Sequence, residues 1–172
     1  LEFNRENEYV EHLNKARIFY GRYCESGELT DFNIAKANYE ALIGDGEIGD
    51  VALFELADLY KICENFESAL ATIRKVEQRN IHSVLQEAEL SFEVVGEYPA
   101  HLKAEVNAIN PDEVFGVTNR TRLSDYYVNT GDLEKASKLF AVINDEIDAG
   151  VNWFEEAQFR INYGHLLNEI EE

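Results

Sequence analysis

The side chains able to do chemistry are few and scattered. Four histidines, His12, His82, His101 and His165, are spread along the chain, and no two stand three or four residues apart. No helix can therefore offer a histidine pair to a metal ion. Cys24 and Cys63 allow one disulfide by count, but no CxxC, HExxH or phosphate-binding glycine loop accompanies them. His12 and Cys24 are expected on one helix, about 18 Å apart at about 1.5 Å per residue. That is too far for a nucleophile and its base. Two acidic runs, Gly44–Asp50 and Asn144–Asp148, concentrate carboxylates. Neither has the calcium-loop spacing or its closing glutamate. The first reads as a turn with flexible glycines and an N-cap at Asp50, the second as solvated charge at a helix end. The expectation is no enzyme, no cofactor and no metal. The two cysteines read as buried thiols, which points to a reducing, cytoplasmic setting.

With little chemistry in the side chains, the elements that carry them become the subject. The chain has 172 residues, 45% of them hydrophobic and 28% charged, with ten Phe, nine Tyr and only two Pro. That is a folding composition, long enough for one domain over 1–172, and the scarcity of proline favours helix. Thirty-four acids against fifteen bases give a formal charge of −19. This excess disfavours a nucleic-acid binder, which needs lysine and arginine for the phosphates, and disfavours an anionic membrane surface. No run reaches the roughly 18 apolar residues of a membrane span. The chain has no methionine, so residue 1 is not an initiator and a fragment or trimmed form is expected.

Four short segments resemble one another: Glu25–Leu29, Cys63–Glu67, Val95–Tyr98 and Thr130–Glu134. Each follows an apolar-periodic run that ends in an aromatic, and each precedes a second such run. Their turn positions, Gly27, Glu64, Gly96 and Gly131, are spaced by 37, 32 and 35 residues. In the clearest unit, Asp50 to Ser83, Leu53, Leu56, Ala57 and Tyr60 share one helix face, Asn65 caps a second helix, and Ala69, Leu70, Ile73 and Val76 line that helix. This unit resembles the tetratricopeptide repeat, a helix–turn–helix unit of about 34 residues. Leu56, Ala57, Tyr60, Phe66, Ala69, Ile73 and Val76 match its pattern, and Leu123, Ser124, Tyr127, Gly131, Leu133, Ala136, Phe140 and Ile143 match it again. The unit over 82–115 keeps Ala88, Phe92, Gly96 and Tyr98 but has Glu89 and His101 at positions that favour small residues. The unit over 13–48 keeps Tyr23, Gly27 and Ala35 with about three extra turn residues, Leu29 to Phe32.

The resemblance implies an all-α fold. It would be a right-handed superhelical solenoid of about four repeats (13–48, 50–83, 82–115 and 117–150) plus a C-terminal capping helix over about 151–170, in which Trp153 and Ala157 match the repeat. It also implies a concave groove walled by the first helices. Mapped onto this sequence, the groove is lined by Phe54, Asp58 and Lys61, then Gln86, Leu90 and Glu93, then Thr121 and Asp125, and finally Phe154. Phe54, Leu90 and Phe154 would be apolar anchors, and Asp58, Glu93 and Asp125 would favour a basic segment. The carboxylate clamp used by some members needs polar or basic groups where Gly21, Asp58 and Asp125 stand. The function implied is a protein–protein interaction scaffold binding a basic or amphipathic peptide or helix. The alternatives are a self-associating structural unit and a chaperone-like holder of a secreted or complex subunit.

Overall fold

The computed structural model describes the backbone of residues 2–148 and the side chains of residues 7–145. Among these residues the chain is all-α, with no strand. Helices α1 (Glu2–Ser26) and α2 (Leu29–Glu40) are joined by two residues, and α3 (Glu47–Ile62) and α4 (Phe66–Ile73) by three. Next come α5 (Ile81–Val95), α6 (Ala100–Asn107), a 3-10 turn at Pro111–Glu113, α7 (Val117–Asn129) and α8 (Leu133–Asp148). Helix α1 packs on α2 and α3, α3 on α4, and α7 on α8. The chain falls into two compact units. The first comprises the residues up to Ser83 with Glu93–Gly96, the second Val84–Phe92 with the residues from Glu97 onward. The capping helix over 151–170 lies outside the described residues.

The turns between paired helices follow from how a helix satisfies its last carbonyls. All four turn positions are left-handed: Gly27 at φ 69°, Glu64 at 55°, Gly96 at 75° and Gly131 at 81°. At the end of α3, Asn65 N donates to Tyr60 O at 3.0 Å and Glu64 N to Lys61 O at 2.9 Å. At the end of α7, Asp132 N donates to Tyr127 O at 2.8 Å and Gly131 N to Val128 O at 3.0 Å. These are the paired bonds of a Schellman cap. At the end of α1, Gly27 N donates to Tyr23 O at 2.8 Å, the single-bond version. Tyr23, Tyr60 and Tyr127 thus hold the same place in three helices. Asn65 then caps α4, its side chain accepting from Ser68 N at 3.1 Å.

Small residues let the paired helices approach. Ala35, Ala57, Ala69, Ser124 and Ala136 are all fully buried. In the first unit Ala35 packs with Ala16, Tyr39, Leu42, Ala52, Leu56 and Leu59, while Tyr23, Phe32 and Tyr60 form an edge-to-face chain with centroids 5.5 and 6.0 Å apart. In the second unit Phe92 stacks on Tyr98, and Tyr98, Tyr126 and Tyr127 continue edge-to-face.

Three local expectations need correction. Leu29 to Phe32 do not lengthen a turn; they are the first turn of α2. Ser26 Oγ accepts from Glu28 N, and Asp31, favoured at the positive end of the helix dipole, meets Arg22 at 3.2 Å. Asp50 is not an N-cap: it lies inside α3, whose N-cap is Gly46 at φ 62°. Its buried carboxylate accepts from Glu77 N and Gln78 N, both at 2.9 Å, tying α3 to the segment after α4. In α6 the inward face is shifted by one residue. His101 is exposed, and Leu102 and Val106 are fully buried; the N-cap of α6, Pro99, stands three residues after the left-handed Gly96, whereas Asn65 stands one after Glu64.

Candidate functional site

On α3 the inward stripe of Leu53, Leu56 and Ala57 is buried. That leaves Phe54, Asp58 and Lys61, spaced four and three residues apart, on the adjoining face, each half-buried. Phe54 is no free anchor: its ring meets the His82 imidazole edge-on, with centroids 4.4 Å apart. Asp58 acts on Tyr20 of α1. Burial first, and then the charge of its neighbours including Asp58 and Glu55, holds the Tyr20 phenol well above its usual range. Helix α1 adds Arg17, whose Nε lies 3.0 Å from both carboxylate oxygens of Glu55 and whose Nη2 also reaches Oε1. Tyr39 of α2 donates to Glu55 Oε2 at 3.0 Å. One carboxylate on α3 therefore holds side chains from α1 and α2, and it raises the Arg17 pKa by hydrogen bonding.

The remaining groove positions divide. Glu93, in the first unit, is exposed, and Thr121 and Asp125 on α7 in the second are half-buried. Leu90 and Gln86 are corrected: both are 0% exposed. Helix α5 is buried at every position from Ser83 to Ala88 and again at Leu90 and Ser91, so it has no open face at those residues. A helix apolar on one stripe leaves its other positions to solvent only if a single neighbour covers it, and α5 does not meet that condition. Phe154 lies outside the described residues.

The expected reactive groups are spoken for in simpler ways. His12 Nδ1 donates to Asn38 Oδ1 at 2.9 Å, an amide oriented by its own bond from Nδ2 to Ile34 O. Cys63 Sγ donates to the Tyr23 hydroxyl at 3.1 Å. Cys24 is not buried as expected but exposed. Desolvation raises its thiol above the usual value, opposite to what an activated thiolate needs. Both cysteines are free thiols. Among the described residues no three His, Cys, Asp or Glu side chains are placed to hold a metal ion, and no helix is long and apolar enough to cross a membrane.

Sequence reasoning passed over an ion pair and a loop. Glu89 occupies the slot that Ala57 and Ser124 fill elsewhere, and its Oε2 lies 2.8 Å from Nε of the buried Arg122. The signal was an oversized acid at a small-residue position, with an arginine on the inward side of the next first helix. The loop carries Phe115, the most exposed large apolar side chain among the described residues. Its signal was a phenylalanine directly before a glycine. No protein-family model, curated protein or solved structure matches the chain.

Proposed function

We propose that the chain is a tetratricopeptide-like helical-repeat module, a right-handed superhelical stack of about four repeats, that binds a basic or amphipathic segment of a partner protein. The observation that carries this reading is the recurring cap: an aromatic four residues before a left-handed turn position, at Tyr23, Tyr60, Phe92 and Tyr127. Where helix pairs recur with one geometry, stacking them generates a binding wall from their first helices. On those walls Asp58 and Asp125 are half-buried and Glu93 is exposed, within a chain of net charge −19. Their potential favours a cationic segment and repels a carboxylate terminus. Lys61 and Thr121 add polar contacts beside them. A wall formed before the partner arrives loses little entropy on association.

The test is a fluorescence binding series with amphipathic helical peptides of leucine and lysine, and matched peptides of leucine and glutamate, at low and high salt. The cationic set should bind more tightly and weaken with salt. Asp58→Asn with Asp125→Asn should lower its affinity several-fold, what two partly exposed charge pairs contribute. Equal binding of the anionic set, or an unchanged affinity in the double variant, refutes the reading.

A further inference from the structure

The segment leading into α7 reads Val114, Phe115, Gly116, Val117. Val114 is 0% exposed and Val117 5%, while Phe115 between them is 76% exposed. The largest apolar side chain of the three is the one left in water. The backbone enforces this choice. Val114 N donates to Pro111 O at 3.2 Å, Gly116 is left-handed at φ 82°, and Arg120 N donates to Gly116 O at 3.2 Å. The Phe115 carbonyl accepts from Asn119 Nδ2 at 3.3 Å. Upstream, Asn110 Oδ1 accepts from Asp112 N, and Asn110 Nδ2 donates to Glu113 Oε1, both at 3.3 Å. Phe115 is therefore presented from a loop bonded on both sides. A residue before the N-cap commonly folds back on an apolar side chain at the fourth helical position. In α7 that position is Arg120, so the ring has no apolar seat of that kind in its own helix.

We propose that Phe115 is a preformed anchor that inserts into an apolar pocket on a partner protein, and that the rim of that pocket is basic. A rigid aromatic on a fixed loop gives large contact area with few torsions to order. The charge of the rim follows from Asp112 and Glu113, both exposed just ahead of the ring, and from the net −19 of the chain. A second copy of the chain carries the same excess and is disfavoured as the occupant. This inference shares with the proposed function only the existence of a protein partner; it rests on Phe115, Asp112 and Glu113, none of which that reading uses.

The test uses the full chain and two synthetic hosts that share a phenyl-sized apolar cup, amino-substituted and carboxylated β-cyclodextrin, with the Phe115 ring followed by NMR. The amino host should bind at Phe115 roughly tenfold more tightly than the carboxylated one at low salt, the scale of two exposed ion pairs. Phe115→Ala should abolish that site and leave the thermal midpoint unchanged. Asp112→Asn with Glu113→Gln should bring the two hosts to parity. A ring that neither host shifts, equal affinity for both, or a midpoint loss in Phe115→Ala as large as in Val114→Ala overturns the proposal. A captured basic partner that Phe115→Ala still binds at full affinity, while Asp58→Asn with Asp125→Asn weakens it, overturns this inference and leaves the proposed function standing.

Discussion

Glu64 is the only non-glycine with positive φ among the described residues, at 55°, and it holds the turn position that glycine holds at Gly27, Gly96 and Gly131. Replacing it with glycine is the sharpest test of the repeat geometry. Holding an L-residue in the left-handed region costs about 1–2 kcal/mol. Glycine removes that cost but loses more backbone freedom on folding, about 0.5–1 kcal/mol. Glu64→Gly should therefore stabilise the chain by about 0.5–1 kcal/mol, raising the midpoint by about 1–4 °C at this chain length. Gly131→Ala is the mirror experiment. No atom lies within 4 Å of where its Cβ would stand and φ is 81°, so only the backbone conformation is charged, and a loss of about 1 kcal/mol is expected. Glu64→Ala removes the carboxylate while keeping the strain, and separates charge from conformation. Urea and thermal unfolding followed by circular dichroism give all three values, with the urea slope constant if only the folded cap has changed. Destabilisation by Glu64→Gly, or neutrality of Gly131→Ala, refutes the argument that these turns are equivalent left-handed caps.

Gly49→Ala should cost about 1–3 kcal/mol in urea unfolding, because its Cβ would stand 2.9 Å from Leu42 O and 3.1 Å from Gly44 N, both backbone atoms. Glu89→Ala should cost roughly 3 kcal/mol by leaving the Arg122 guanidinium buried without its carboxylate, and adding Arg122→Leu should recover most of the loss in the same assay. Raising pH should destabilise the chain in a defined window. Burial lifts the Tyr98 phenol to about 12 and lifts Tyr20 and Tyr39 further still, against about 10 in the unfolded chain. A folded value above the unfolded one means the stability is intact below pH about 10 and is lost as pH rises toward about 12. Phenolate absorbance and urea midpoints measured across that range check it, and Tyr98→Phe should shallow the decline.

The helices and their turns were legible because they rest on local physics. Gly27, Gly96 and Gly131 announce left-handed caps, Asn65 announces an N-cap, and an apolar stripe such as Leu53, Leu56, Ala57 and Tyr60 announces a buried face. What the sequence hid depends on partners remote in the chain. Asp50 looks like any acid near a helix start until Glu77 N and Gln78 N arrive to bond it. Glu89 looks like a misfit until Arg122 reaches it. Leu90 and Gln86 look exposed because the repeat pattern assigns both positions to a groove, whereas α5 is buried at both. The shifted face of α6 goes with Pro99, which starts that helix two residues later after its turn position than Asn65 starts α4.

The Glu55 carboxylate has a bearing on motion. It accepts from Arg17 on α1 and from Tyr39 on α2 at once, so no one of these three helices can peel away without releasing a bond from another. Native-state hydrogen exchange should reveal α1, α2 and α3 opening as a single foldon, with amides around Arg17, Tyr39 and Glu55 sharing one opening free energy. Glu55→Gln would split that unit into segments exchanging at their own rates, turning one cooperative event into several.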